Sequence, residues 1–184
     1  MILVVAATEK ELAASGASDT LCCGIGPAEA GIRTAMGLAD LRPDAVLHVG
    51  IAGAPELEPL SVVIGSEAHY ADIVDPASSM PKVERAYPAA ELVEAARRAL
   101  PDAQVFPIAS CARVGGGGDC HVEAMEGFSV LRAAELAGVP AVEVRTISNR
   151  PAEADRGLWR IEDAHARIGE IVPALLEELE LCVR

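Results

Sequence analysis

Aromatic and basic residues are both scarce in this chain of 184 residues. Trp, Tyr and Phe supply only 3% of a sequence that is 51% hydrophobic, so the core has to be built from Ala, Val, Leu and Ile. The formal net charge is −13, because acidic residues outnumber basic ones. This charge argues against a surface for nucleic acid or an anionic membrane, since both attract basic proteins. It sets no limit on a buried pocket for a neutral ligand.

Long apolar segments and metal-ligand patterns are also missing. No uncharged apolar stretch reaches the roughly 18 residues of a membrane span, so we expect no membrane association through a helix. Residues 2–7 are apolar but lack a basic flank, which predicts a strand rather than a signal peptide. The five cysteines form no CxxC pair and the four histidines are scattered. We therefore expect reduced thiols, no metal site and no cofactor.

Strand-like and helix-like segments alternate along the chain. Short apolar or β-branched runs predict strands, and apolar stripes at the helical period predict helices. The predicted strands are residues 2–7, 20–23, 44–49, 60–71, 103–109 and 141–147, and the predicted helices are residues 28–41, 89–100, 126–136 and 161–181. Residues 75–87 are expected to form a surface excursion. The alternation predicts one domain over residues 1–184, an α/β fold of three αβα layers with a central, largely parallel mixed sheet.

Three polar residues fall near the predicted carboxyl edge of this sheet. Glu11 follows the first strand, Glu126 begins a helix, and Asn149 lies just beyond the strand of residues 141–147. Ligands of open α/β sheets bind outside the carboxyl ends of strands, so these side chains could face one pocket. Structural roles are open as well. Glu11 could complete a capping box with Thr8, Glu126 could complement a helix dipole, and Asn149 could form a turn.

Three segments are rich in glycine: two predicted turns that follow strands, and a run of four glycines that precedes the helix of Glu126. Gly24 and Gly26 follow one strand, and residues 50–54 follow another. Glycine in such turns lets the backbone approach a ligand closely. Glu29 stands where the dinucleotide fingerprint requires its third glycine, which argues against a Rossmann site. The four consecutive glycines, residues 115–118, are interpreted as either a mobile flap or a worn surface loop.

Five motifs occur in a characteristic order: AATEKE, CGIGPAEAG, VGIAGA, VEAMEG and VEVRTISN. Together they resemble the purine nucleoside phosphorylase and nucleosidase superfamily. Within it, VEAMEGFSVLRAAELAGVP, ISN and the later DRGLW are most similar to the futalosine hydrolases, which release hypoxanthine from futalosine in menaquinone biosynthesis. The resemblance covers nearly the whole chain. It implies hydrolysis of the N-glycosidic bond of a purine nucleoside.

The resemblance also implies roles for individual residues. Glu11 would activate water, and Asn149 would meet the departing purine, so these two are the expected catalytic residues. Glu126 would hold the ribose hydroxyls, with Ala52 and Gly53 in a turn beneath the sugar.

Further residues are expected around the same substrate. Met125 would lie against the sugar, and Glu123 and Ser148 would complete the substrate-binding set. Arg145 would pair with Glu143 or Glu123, because it would otherwise be an unpaired buried charge. No residue matches the base-stacking aromatic of the family.

Asn149 bears on the choice of purine. Relatives that cleave 6-aminopurine nucleosides carry Asp at the matching position. An Asn amide can donate to N7 and to a 6-oxo group together, which is the pattern that hypoxanthine presents. We therefore expect a preference for hypoxanthine nucleosides over adenine nucleosides.

Several alternatives remain at this stage. They are a nucleosidase for methylthioadenosine, S-adenosylhomocysteine or aminodeoxyfutalosine, a phosphorolytic enzyme, and a degenerate nucleoside-binding domain without activity. Water is favoured over phosphate as nucleophile because no Arg stands at the glycine turns. The expected partners are a nucleoside, water and further copies of the chain in a homodimer or higher homo-oligomer. The expected location is the cytoplasm.

Overall fold

The computed structural model describes residues 1–73 and 79–183. Within these residues the strands are β1 (Ile2–Ala6), β2 (Thr20–Cys22), β3 (Ala45–Gly53), β4 (Val62–Tyr70), β5 (Arg85–Ala86), β6 (Gln104–Ser110), β7 (Val122–Ala124) and β8 (Ala141–Asn149). The helices are α1 (Glu9–Ser15), α2 (Pro27–Leu41), α3 (Ala90–Ala99), α4 (Gly127–Ala137) and α5 (Ile161–Cys182), with a short 3-10 helix at Arg156–Leu158. None of the helices in this described part is long and apolar enough to cross a membrane.

The strands form one mixed sheet that curls onto itself. Its order is β2-β1-β3-β7-β6-β4-β5, and β8 pairs with both β3 and β4. Strands β3, β8, β4, β6 and β7 therefore close a circuit of pairings. Five of the pairings are parallel and three are antiparallel. The predicted α/β class with a mixed sheet is confirmed, and the closure is a feature that the sequence did not indicate.

Helices cover the sheet on both sides and the curled part has a core of its own. One apolar cluster joins the sheet to α1, α3 and α5 through residues such as Leu12, Leu92 and Ile168. A second joins it to α2 and α4 through Leu38 and Leu131. A third fills the circuit with small or β-branched side chains: Ala52, Ala54, Val63, Ile108, Val122, Ala124 and Ile147. Aliphatic residues thus fill the core, as the scarcity of aromatics requires. The assignment of residues 1–184 to one domain stays a prediction.

Two strands are longer than the sequence predicted, and both extensions lie at the site. β3 continues through residues 50–53, which were expected to form a turn, because this segment pairs with β8. Asn149 is the last residue of β8 rather than a residue beyond the strand. Backbone pairing between β3 and β8, which a glycine-rich sequence does not reveal, keeps these segments extended.

The expected surface excursion is partly wrong. Residues 74–78 of that region lie outside the described residues. Arg85–Ala86 forms β5 and pairs antiparallel with β4, and Ala86 is fully buried. A strand of two residues is too short to give a periodicity signal in the sequence.

A β-bulge lies at the last two residues of β8. Ala52 pairs with Ile147, but the next β3 residue, Gly53, pairs with Asn149, so Ser148 is the extra residue. A bulge re-aims the side chains beside it. Here it allows Ser148 and Asn149, which would otherwise point to opposite faces, to contact each other.

Candidate active site

A cavity of about 300 Å³ opens at the carboxyl ends of β3, β6, β7 and β8. All the site residues named from the sequence line it: Glu11, Ala52, Gly53, Glu123, Met125, Glu126, Ser148 and Asn149. The carboxylates and the amide among them are largely buried. The sequence therefore identified one contiguous surface, whose chemistry follows from the contacts of each side chain.

Glu11 is both a helix cap and a wall of the cavity. The Glu11 N–H donates to the Thr8 hydroxyl oxygen at 3.3 Å and the Thr8 N–H donates back to one Glu11 carboxylate oxygen at 3.0 Å, which is the predicted capping box; the Thr8 hydroxyl donates to that same carboxylate oxygen at 2.8 Å. The other accepts from the Ile51 N–H at 3.0 Å and so joins α1 to β3. Gly50 makes this possible, since a Cβ there would lie 2.8 Å from Glu11 Oε1 and 2.3 Å from Arg145 Nη1. The two interpretations of Glu11 are therefore compatible.

Glu126 occupies the N-cap position of α4, so its predicted place at a helix start is correct. Its Oε1 accepts from the Gly26 N–H at 3.0 Å, and its Oε2 lies 3.6 Å from Arg145 Nη2. Gly26 has φ of +91°, a conformation that other residues adopt with strain. Burial raises the pKa of Glu126, and the Arg145 guanidinium opposes that rise.

Arg145 is buried in the middle of β8 and has three partners. Its Nε donates to Glu143 Oε1 at 2.8 Å, and its Nη2 donates to His48 Nε2 at 2.5 Å. Because Nε2 accepts, the proton of His48 must reside on Nδ1, which donates to the Val5 carbonyl at 3.0 Å. Burial and the nearby guanidinium lower the pKa of His48, which keeps the ring neutral.

Glu123 binds the glycine loop and does not pair with Arg145. Its two carboxylate oxygens accept from the N–H groups of Gly115 at 2.6 Å and Gly117 at 2.9 Å. Of the two partners expected for Arg145, Glu143 is therefore the correct one and Glu123 is wrong. The four-glycine run is anchored at the cavity wall, and the direct contact of Glu123 with a substrate stays a prediction.

Ser148 determines how Asn149 is presented. Its hydroxyl lies 2.9 Å from Asn149 Oδ1 and 3.3 Å from the Ala52 carbonyl oxygen. When the hydroxyl donates its one proton to the nearer acceptor, Asn149 Oδ1, the amide oxygen of Asn149 faces the protein. The amide NH₂ is then the group that can meet a ligand, and it lies close to Gly53, where a Cβ would be 3.1 Å from Nδ2.

Sequence reasoning missed one side of the cavity. Lys10, Arg113, Trp159, Ile161 and His165 all line it. The segment that carries the only Trp is joined to β8, because the backbone N–H of residue 160 donates to the backbone carbonyl of residue 148 at 2.8 Å. The DRGLW motif was the available signal, but nothing in it shows that the segment returns to the sheet edge.

Cys111 also lines the cavity but is not a nucleophile. Burial and the carboxylate of Glu123 raise the pKa of its thiol to about 11, so it is protonated at neutral pH. All five cysteines are free. In residues 1–73 and 79–183 no group of three or more His, Cys, Asp or Glu side chains could hold a metal ion.

The geometry can be compared with known proteins. Residues 20–118 match the profile of the phosphorylase superfamily. The chain is also 34% identical over 188 residues to futalosine hydrolase from Streptomyces coelicolor, in a match that covers 88% of this chain and 80% of that protein. This chain belongs to the phosphorylase superfamily. The expected family is thereby confirmed.

Solved structures confirm the fold of this phosphorylase superfamily member. A futalosine hydrolase mutant of Helicobacter pylori strain 26695 superposes with a TM-score of 0.86 at 15% identity, covering 96% of this chain and 98% of that one. An S-adenosylhomocysteine nucleosidase from Streptococcus pyogenes, in complex with 5-methylthiotubericidin, gives a TM-score of 0.83 at 20% identity, covering 97% and 96%. At such identities the likeness concerns the fold.

Proposed function

We propose that this protein hydrolyses the N-glycosidic bond of a purine nucleoside, namely futalosine, and releases hypoxanthine and dehypoxanthine futalosine. The reaction would serve menaquinone biosynthesis. The relative from Streptomyces coelicolor named futalosine hydrolase supports the substrate, and the contacts within the cavity support the reaction.

Two buried carboxylates suit the developing ribose cation. Glu11 would orient the attacking water, because its carboxylate keeps lone pairs beyond the three contacts that it already makes. Glu126 would accept from the ribose hydroxyls and add negative potential beside the oxocarbenium. General acid–base assistance contributes about 10²–10⁴-fold, and each preorganised electrostatic contact about 10²–10³-fold. A carboxylate that is fixed before the substrate arrives needs no reorganisation during the reaction.

The orientation of Asn149 is the observation that carries the choice of base. With its oxygen held by Ser148 at 2.9 Å, the amide would direct donors at the purine. Both donors suit N7 and a 6-oxo group. A 6-amino group would face them with another donor, and a buried polar group without a partner costs about 1–3 kcal/mol.

Water, and not phosphate, would be the nucleophile. The Gly26 N–H at the start of α2 would be an anion-binding donor, but Glu126 already occupies it. The buried guanidinium of Arg145 is likewise held by Glu143 and His48. Both of these groups are therefore already used within the protein.

A nucleoside panel tests this proposal. Futalosine, inosine, adenosine and methylthioadenosine are incubated with the protein, with and without phosphate, and the released base is measured. We expect hypoxanthine release that is independent of phosphate. A ribose 1-phosphate product would show phosphorolysis, preference for the 6-amino compounds would show the alternative nucleosidase, and the absence of any release would show a non-catalytic domain.

Asn149→Asp is the matched variant for the base. A carboxylic acid can protonate N7 and accept from a 6-amino group, so the ratio of kcat/KM for inosine over adenosine should fall. An unchanged ratio would remove Asn149 from the base site.

Two further proposals concern the assembly and the location. We propose a homodimer or higher homo-oligomer because the family resemblance implies it, and light scattering on the purified protein measures it directly. We propose a cytoplasmic location because all five cysteines are free, as is usual in a reducing compartment.

A further inference from the structure

Arg113 is a basic residue of the cavity wall that the proposed reaction does not use. It lies in the loop between β6 and β7, and its exposed side chain lines the cavity. Among the residues that the structure describes, none makes a hydrogen bond or an ion pair with its guanidinium. Lys10 and His165, which also line the cavity, both lie within 4.0 Å of a Glu162 carboxylate oxygen. Arg113 is therefore the lining cation whose charge no described side chain uses.

The backbone that carries Arg113 is held on both sides of the residue. The N–H of the preceding residue donates to Asp72 Oδ2 at 2.8 Å, and the Cys111 thiol donates to the Arg113 carbonyl oxygen at 3.2 Å. Two residues later, the Gly115 N–H donates to Glu123 Oε1 at 2.6 Å. The loop thus fixes where Arg113 stands and leaves its guanidinium to the cavity.

The same contacts place Arg113 at the base end of the cavity. Glu123, which holds the loop, pairs with Gly53 from one side and Asn149 pairs with Gly53 from the other. A Cβ on Gly53 would lie 3.5 Å from Glu123 Cγ and 3.1 Å from Asn149 Nδ2, so the two side chains are neighbours. Arg113 precedes Gly115 by two positions, and two residues span at most about 7 Å. The Arg113 side chain can therefore reach the purine that Asn149 would contact.

The departing purine creates a need for positive charge at this end. In the hydrolysis, the bond between C1′ and N9 breaks, its electron pair leaves with hypoxanthine, and the water oxygen bonds to C1′. One proton of that water passes to Glu11 and neutralises the purine only afterwards. The Asn149 amide donates hydrogen bonds but has no proton to transfer. Hypoxanthine therefore departs as an anion, in a cavity whose lining also contains the carboxylates of Glu123 and Glu126.

Building on the proposed nucleosidase function, we propose that Arg113 is a catalytic residue that binds the departing hypoxanthine and neutralises its negative charge. A guanidinium stays protonated throughout the pH range of proteins, so Arg113 is always both a cation and a hydrogen-bond donor. Its charge adds to the neutral hydrogen bonds of the Asn149 amide. Because the purine is neutral before the bond breaks, the attraction is stronger in the transition state, which is the condition for raising kcat.

The test compares two leaving groups that differ in charge. Futalosine would release an anionic base, whereas futalosine methylated at N7 carries a positive purine and releases neutral 7-methylhypoxanthine. The readout is the ratio of kcat/KM for futalosine over the N7-methyl derivative, in which any loss of folded protein cancels. Arg113→Met should lower this ratio about tenfold. This is less than the 10²–10³-fold effect of an enclosed donor, because the Arg113 side chain is exposed.

Two further variants separate the charge from the bulk of the side chain. Arg113→Lys keeps the charge, so its ratio should lie closer to the wild type than to Arg113→Met. Arg97→Met removes an exposed Arg of α3 that is paired with Glu94 at 3.3 Å and does not line the cavity, and it should leave the ratio unchanged. The proposal is overturned if Arg113→Met matches the wild type or Arg97→Met, or if Arg113→Lys is no better than Arg113→Met.

A binding measurement separates the role of Arg113 from the proposed function. At neutral pH hypoxanthine is uncharged, and 8-azahypoxanthine is an anion of nearly the same shape. In calorimetry the preference for 8-azahypoxanthine should be about tenfold stronger in the wild type than in Arg113→Met. If futalosine is cleaved and its ratio is the same in both proteins, only the role of Arg113 fails. If neither nucleoside is cleaved, the nucleosidase function fails, and the calorimetric preference alone decides whether Arg113 binds an anionic purine; an equal preference, or no binding of either base, overturns it.

Discussion

Ser148→Ala removes the contact that orients the Asn149 amide. The hydroxyl of Ser148 lies 2.9 Å from Asn149 Oδ1, and an amide has no other means of distinguishing its two ends than its partners. Without the hydroxyl, the flipped amide would present its oxygen to the purine. That orientation accepts from a 6-amino group and faces a 6-oxo group with an acceptor.

The expected magnitude follows from this single bond. One such hydrogen bond contributes about 0.5–1.5 kcal/mol net, and 1.4 kcal/mol corresponds to about tenfold. We therefore expect Ser148→Ala to lower the ratio of kcat/KM for inosine over adenosine by about two- to tenfold. The value of kcat/KM should fall less for adenosine than for inosine, because the flipped amide suits adenine.

The assay is a competition between inosine and adenosine, with hypoxanthine and adenine quantified together. A double-mutant cycle sharpens it, because in the Asn149→Asp background the proton can occupy either carboxyl oxygen, so no amide orientation is left to lose and Ser148→Ala should no longer change the ratio. Thr146→Val is the control, since the Thr146 hydroxyl is buried on the same strand and has no hydrogen-bond partner among the described residues. An unchanged ratio in Ser148→Ala, or the same change in Thr146→Val, would refute the orientation argument.

Three further predictions rest on contacts within the protein. Burial raises the pKa of Glu126, and only its carboxylate form can accept from both ribose hydroxyls. The value of kcat/KM should therefore fall as the pH drops through a value above the usual pKa of Glu, about 4.3. A fall in the pH-rate profile centred at or below that value would contradict this prediction. Gly127→Ala would place a Cβ 2.2 Å from Glu143 Oε2 and should lower the free energy of unfolding by about 1–3 kcal/mol in a urea titration, whereas Gly31→Ala, with its nearest neighbour at 3.5 Å, should not lower it. Because all five cysteines are free, a reductant should leave the melting temperature unchanged, and a large drop would reveal a disulfide.

The sequence was sufficient for the features that depend on local order. Residues near Glu11, Glu126 and Asn149 carry their own helix and strand signals, so their places at helix starts and strand ends could be predicted. The capping box of Glu11 with Thr8 spans only four residues and was correct. The order of the motifs along the chain then allowed these residues to be placed at one edge of a sheet.

Features that depend on distant pairing could not be predicted. The bulge at Ser148 exists only because β8 pairs with β3, and the extension of β3 through Gly53 has the same origin. Arg145 pairs with Glu143 and not with Glu123, because the glycine loop folds back so that its N–H groups donate to Glu123. His48 gave no signal, because its role requires a guanidinium from a strand far along the chain.

The closed circuit of strands has a consequence for the behaviour of the protein at high concentration. Unpaired strand edges are templates for intermolecular pairing and aggregation. In the described part of the chain the path of the sheet ends at β2 and β5, which are only three and two residues long. At these two ends the folded molecule thus offers very little free backbone to a neighbouring molecule. Fibril-like assembly would require the circuit of strands to open first. The rate of assembly should therefore be set by the rate of unfolding and not by how often folded molecules collide.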